Sequence, residues 1–192
     1  QYTATITTAA KDAAGNVLRG SCEQIDATGN IVVSEERLTA LIGVKDIFGK
    51  TDVYGATVEN LGKMSGTTTP LVLGQILETL DPDSKPVTSG ADNKGNKRND
   101  PMLPVIWTRT HDWKNGTQTR VLTTTIGASV DFVHEGLRRI MINACYWMLG
   151  MEDKITPNLD CSTVGEYKPS MYQTIANPEL WWAMKLTPSK LR

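Results

Sequence analysis

The stretch 103–150 constrains the fold of this chain most, because its hydrophobic pattern switches there from a strand-like to a helix-like period. It reads LPVIWTRT, then HDWKNGTQT, then RVLTTTIGASVDF, and after two residues EGLRRIMINACYWMLG. Two runs rich in Val, Ile, Thr and Trp flank Asn115-Gly116, a dipeptide suited to a tight turn between antiparallel strands. Val133, Leu137, Ile140, Met141, Ala144 and Met148 then recur at helical spacing as one apolar face. Ser129 or Asp131 stands where a helix N-cap is expected, and Gly150 where the helix should close. The prediction is a strand, a hairpin, a second strand and an amphipathic helix packed back on the sheet.

The 192 residues suffice for one α/β domain with a full core. Residues 1–20 predict a β-hairpin or an extended edge arm turning through Ala14-Gly15-Asn16. Ile31, Val32 and Val33 are strand-like, and SEERLTALIG (34–43) predicts a short helix with Glu35 and Glu36 in its first turn, as the dipole favours. Residues 62–69 are expected as a loop, PLVLGQIL (70–77) as a buried strand, and 81–99 as a long surface loop. After the main helix come a polar connector (152–161) and an aromatic tail. A short helix over 178–184 would carry Trp181 and Trp182, which either cover the domain's own core or dock onto another subunit.

Charge and cysteine usage exclude several function classes. The formal net charge is −1, which gives no electrostatic reason to expect nucleic acid or an anionic membrane as partner. The basic cluster at Lys94, Lys97 and Arg98 sits in a Gly/Asn/Asp-rich loop and reads as a solvated face. No run approaches the roughly 20 apolar residues of a membrane helix. Cys22, Cys145 and Cys161 form neither a CxxC pair nor a zinc set, so no metal is expected. Cys145 is expected to be a buried thiol on the main helix. Cys22 and Cys161 can pair if the protein is exported; Gln1 in place of an initiator Met fits signal-peptide removal or proteolysis alike, and a periplasmic or secreted location is slightly favoured over a cytoplasmic one. Phosphate-binding glycine loops, HExxH and GxSxG are absent, and no cofactor is expected.

Five blocks carry a family resemblance: FGKTDVYGATV (48–58), PLVLGQILETLDPDSKPV (70–87), KRNDPMLPVIWTRT (97–110), RVLTTTIGASVDFVHEGLRRIMINACYWMLGMEDKI (120–155) and VGEYKPS (164–170). In this order they resemble the ThuA-like, trehalose-utilisation family, especially its bacterial multi-domain branch. The resemblance implies an α/β fold, a flavodoxin-like, class I glutamine amidotransferase-like three-layer sandwich, represented here mainly by its C-terminal half. It divides the chain into an N-terminal β-rich arm and short helix (1–43), a ThuA-like core (44–155) and a C-terminal aromatic tail (156–192). The His-rich, Gly-rich segment that the family carries upstream is missing. Where many members have a His directly after the Gly of the TTTIGAS block, this chain has Ala128. None of its cysteines follows a strand and opens a helix, so cysteine-based amidotransfer is not expected.

The resemblance and the strand-end position together define the candidate site. Asp52 and Asp131 are the acid–base candidates, and Thr51, Tyr54, Asp100, Thr125 and Ser129 the polar lining for a carbohydrate or other small molecule. Five of these have a structural alternative: Thr51-Asp52 as an Asx-turn, Ser129 and Asp131 as helix caps, Asp100 as a turn residue. Arg138 and Arg139 either form an ion pair with Asp46, Asp52 or Glu135, or contact substrate. Two functions follow. One is a non-catalytic carbohydrate-binding or structural subunit that meets a protein partner, or a second copy, through its terminal arms. The other is an enzyme of sugar metabolism acting on a modified or oxidised sugar.

Overall fold

The period switch at 103–150 folds as its pattern dictates. A computed structural model of the chain describes residues 9–11, 17–19, 24–25, 31–32, 39–51, 53, 56–91, 95, 97–171, 179, 182–183 and 185. Four short strands come first: β1 (Ala9–Lys11) pairs antiparallel with β2 (Val17–Arg19), and β3 (Gln24–Ile25) with β4 (Ile31–Val32). Helix α1 (Val58–Gly62) follows, with Thr57 as its N-cap accepting from the Asn60 amide. Strands β5 (Thr67–Gly74), β6 (Leu103–Asp112) and β7 (Gln118–Thr124) then form a three-stranded sheet in the order β5-β6-β7. Helix α2 (Glu135–Met148) closes the unit. The chain thus mixes helix and strand, but both pairings in this sheet are antiparallel. The parallel layer of a flavodoxin-like sandwich is not among the described strands.

The pleat assigns the faces of the sheet. Thr108 and Thr110 on β6 pair with Leu122 and Arg120 on β7 and face α2, because Arg120 reaches the last turn of that helix. Its guanidinium donates to the Trp147 carbonyl at 2.6 Å, meets the Glu152 carboxylate, and lies 5.3 Å from the Trp147 ring centroid. Leu137, Ile140 and Ala144 on α2 are fully buried, and the first two join Leu71, Val72, Val105, Ile106 and Ile126 in the core. Ala40, Leu41 and Ile47 complete it. The fully buried Asn143 donates to the carbonyls of Ala40 (3.1 Å) and Ile42 (2.9 Å), anchoring that segment to α2.

Several expectations change. Helix α2 begins at Glu135 with His134 as an N-cap that makes no side-chain capping bond. Neither Ser129 nor Asp131 caps it; Asp131 opens a separate 3-10 turn, Asp131–Val133. Val133 therefore leaves the helical face and is 59% exposed, and Met148 is exposed as well. Cys145 is exposed, not buried: it falls one residue past Ala144, on the solvent side of the stripe. Cys161 is a buried free thiol, its Sγ 3.4 Å from the Leu159 carbonyl. The Cys22 half of the possible pair lies outside the described residues, as do Trp181 and most of 1–38.

The expected loop at 62–69 is in part the start of β5, whose Thr67, Thr68 and Thr69 pair with Thr110, Arg109 and Thr108. The strand ends at Gly74 rather than at residue 77. Asn99 explains the stop: its side chain takes the Ile76 amide and donates to the carbonyls of Ile76 and Val87, at 2.7–2.9 Å. One amide thus closes both ends of the long loop. At Asn115-Gly116 only the glycine has positive φ (81°), so the turn is not the two-residue type that needs both. Gly116 donates to the Trp113 carbonyl and Trp113 to that of Thr117, the pattern of a three-residue loop with a glycine bulge. Gly150 (φ 68°) closes α2 as expected, with Met151 donating to Tyr146 and Gly150 to Trp147.

Arg139 is buried and pairs with Glu135 at 2.7 Å, the third of the expected partners. The hydrogen bond from Arg139, and then its charge, hold the Glu135 carboxyl below the usual range. A folded-state value below the unfolded one stabilises the fold above the ordinary glutamate range and is lost as pH falls through the folded-state value. Stability should therefore fall less steeply for Glu135→Gln than for the wild type between neutrality and about pH 3, as urea midpoints at each pH would show.

Candidate functional site

The site is built where β7 ends. After Thr124 the chain turns through Gly127 and Ala128 into the 3-10 turn, and the carboxylate of Asp131 sits at its centre, 1% exposed. Its Oδ1 accepts from the Lys50 amide at 2.6 Å. Its Oδ2 accepts from the Thr51 hydroxyl (2.5 Å) and from the amides of Gly127 (2.9 Å) and Ala128 (3.0 Å). No cation pairs with this buried carboxylate among the described residues; fixed N–H and O–H dipoles stabilise it instead. Four donors occupy the positions from which a base would take a proton. The geometry makes Asp131 the tie between loop 49–51 and the β7–α2 turn.

The other expected residues are placed unevenly. Thr51 is in the cluster, with its hydroxyl spent on Asp131. Thr125 turns back onto the sheet, its amide and hydroxyl both directed at the Val105 carbonyl, at 2.9 and 3.4 Å. Ser129 is adjacent: its hydroxyl lies 3.5 Å from the Ser170 carbonyl, and its own carbonyl accepts from Tyr167 Oη at 2.7 Å. Those contacts fold 167–170 over the turn. Asp100 lies apart on the loop before β6, exposed and 3.4 Å from Lys97. Asp52 and Tyr54 lie outside the described residues.

Beside the Asp131 tie is a cavity of about 260 Å³ lined by Phe48, Lys50, Val130, Val133, His134 and Pro169. Its polar groups are Lys50, whose backbone Asp131 holds, and His134. The His134 ring lies 6.3 Å from that of Phe48, with Nε2 3.6 Å from the Asp46 carboxylate and Nδ1 buried without a hydrogen-bond partner. The cavity wall thus carries Lys50, an imidazole whose Nδ1 is buried and whose Nε2 faces the exposed Asp46 carboxylate, and apolar side chains. No group of His, Cys, Asp and Glu suited to a metal ion occurs among the described residues.

Lys50 and His134 were not candidates on the sequence. His134 lies within the 120–155 block without a role implied by it, and its partner is 88 positions away. One signal was present: Gly136 just inside a helix marks a close backbone approach. The approach is to the Asp46 carbonyl, where a Cβ on residue 136 would come within 1.6 Å. That contact delivers Asp46 to His134.

No family model, curated protein or solved structure matches this chain.

Proposed function

We propose that this chain is a ThuA-like domain that binds a carbohydrate without transforming it, as a subunit of a larger assembly. The observation that carries the non-catalytic part is the saturation of Asp131: the carboxylate best placed for acid–base work already accepts four internal hydrogen bonds. Ala128 in place of the family's histidine points the same way. In this reading the antiparallel sheet and α2 form the C-terminal side of a glutamine amidotransferase-like sandwich. The cavity takes the ligand, with Lys50 and His134 directing hydroxyls and Phe48 and Pro169 packing on its carbon face. The exposed Met148, Leu149 and Met151 at the exit of α2, and Trp182 at 81% exposure, support a protein partner.

A specific observation favours a second reading. His134 and the exposed Asp46 carboxylate form an imidazole–carboxylate pair 3.6 Å apart at a cavity wall, and because Nδ1 is buried it is Nε2 or Asp46 that is able to move a proton on a modified or oxidised sugar. Saturation-transfer NMR with trehalose and with glucuronate, an oxidised sugar, separates the two. The expected result is transfer to the sugar protons, weakened in Lys50→Ala, with no new resonances over prolonged incubation. New resonances that vanish in His134→Gln would establish the enzyme instead. Absence of transfer to either sugar would leave only the structural role.

A further inference from the structure

We infer that the tip of the β6–β7 hairpin is a separate binding site for the ring face of a neutral saccharide. Trp113 stands at the tip, 54% exposed. It is nevertheless held firmly. Its backbone closes the loop with Thr117 (2.8 Å) and Gly116 (2.9 Å), its indole Nε1 donates to Thr119 Oγ1 at 2.7 Å, and the His111 ring meets it edge-on at 4.6 Å and 80°. The rim is fixed as well: Asn115 Oδ1 accepts from the amide and hydroxyl of Thr117, and Asp112 Oδ1 from Gln118 Nε2. These groups surround an open concavity of about 760 Å³, lined by His111, Asp112, Trp113, Lys114, Asn115 and Thr117.

The chemistry selects the ligand. The indole's single polar atom is already satisfied inside the hairpin, so a ligand meets only its π face. That face is electron-rich and favours the polarised C–H groups on one side of a pyranose ring. Around it, one carboxylate (Asp112) and one ammonium (Lys114) supply an acceptor and donors for hydroxyls while nearly cancelling in charge, which suits a neutral polyol better than an anion or a cation. Because the ring is immobilised beforehand, stacking costs little side-chain entropy. A protein partner would call for a broader apolar patch than one indole ringed by polar groups. The hairpin tip and the cavity lie at opposite ends of β7, separated by roughly 20 Å of strand. The inference does not rest on the carbohydrate reading of the cavity.

The test is affinity electrophoresis of the full chain in native gels containing soluble starch, hydroxyethylcellulose or xylan. Wild type should be retarded in at least one. Trp113→Ala should weaken that retardation at least about tenfold in apparent Kd, Trp113→Tyr should keep most of it, and Lys85→Ala on the exposed 81–91 loop should leave it unchanged. Circular dichroism of each variant ensures that folded proteins are compared. No retardation in any gel, or equal retardation of Trp113→Ala, would overturn the inference. So would a change in sedimentation with Trp113→Ala, which would make the tip a contact between copies of the chain.

Discussion

Gly136→Ala should destabilise this protein by about 3 kcal/mol or more, against the direction that helix propensity alone predicts. Alanine in a helix is worth about 0.8–1 kcal/mol over glycine. At this position a Cβ would stand 1.6 Å from the Asp46 carbonyl oxygen and 2.9 Å from its carbon, both backbone atoms that cannot rotate away. Relief requires α2 to separate from the 44–50 segment by well over an ångström, opening the packing of Leu137 and Ile140 on Ile47. The steric term therefore outweighs the propensity gain. Urea denaturation would show it as a lower midpoint at unchanged slope. The same displacement moves Phe48 and Lys50, so the sugar binding proposed for the cavity should fall with it. A variant as stable as the wild type would mean that α2 does not sit against Asp46 as described.

Asp131→Ala should cost about 3–5 kcal/mol, because it strands the amides of Lys50, Gly127 and Ala128 and the hydroxyl of Thr51 at a site 1% exposed. Against a total stability of roughly 5–15 kcal/mol that is a large fraction. Asp131→Asn should be milder. With its oxygen at the Oδ2 position it can still accept from Thr51, Gly127 and Ala128, losing the Lys50 amide alone. The order wild type, Asn, Ala in thermal midpoint is the signature of a structural tie. A catalytic carboxylate gives a different pattern, in which Asn abolishes turnover while stability is retained. Finding that pattern would restore the acid–base role to Asp131.

Legibility followed the range of the interactions. The strand–hairpin–strand–helix order was readable because each element is set by neighbours in sequence: β-branched residues at Val105, Ile106 and Val121, a glycine at 116 for the turn, a 3.6-residue stripe through Leu137, Ile140 and Ala144, and Gly150 to end it. The helix start was misplaced because Asp131 has the chemistry of an N-cap, and local reasoning cannot see that Lys50 and Thr51, about 80 positions earlier, claim its oxygens first. Cys145 was misjudged by a single position around the helix, where about 100° separates core from solvent. The end of β5 depended on Asn99, whose amide reaches back 23 positions to Ile76.

The candidate site divides the same way. Thr51, Ser129 and Asp131 are gathered by the fold at one turn, because polar residues at a strand end are a local signature. Asp100 lies apart from that group, since proximity to a strand start says nothing about which loop a residue faces. Lys50 and His134 were missed, because each acquires meaning only from what packs against it.

By itself the sequence determined the alternation of periods, the turn and cap glycines, and the polar clustering after β7, all consequences of side-chain sterics and hydrophobic spacing within a few residues. Tertiary structure alone decided that Asp131 ties loop 49–51 to the β7–α2 turn, that His134 faces Asp46, and that Trp113 is both exposed and locked. Those outcomes depend on which groups the fold brings to a carboxylate, an imidazole or an indole N–H, from Lys50 and Thr51 about 80 positions before Asp131 to Thr119 across the hairpin from Trp113, and hydrophobic spacing does not encode those meetings.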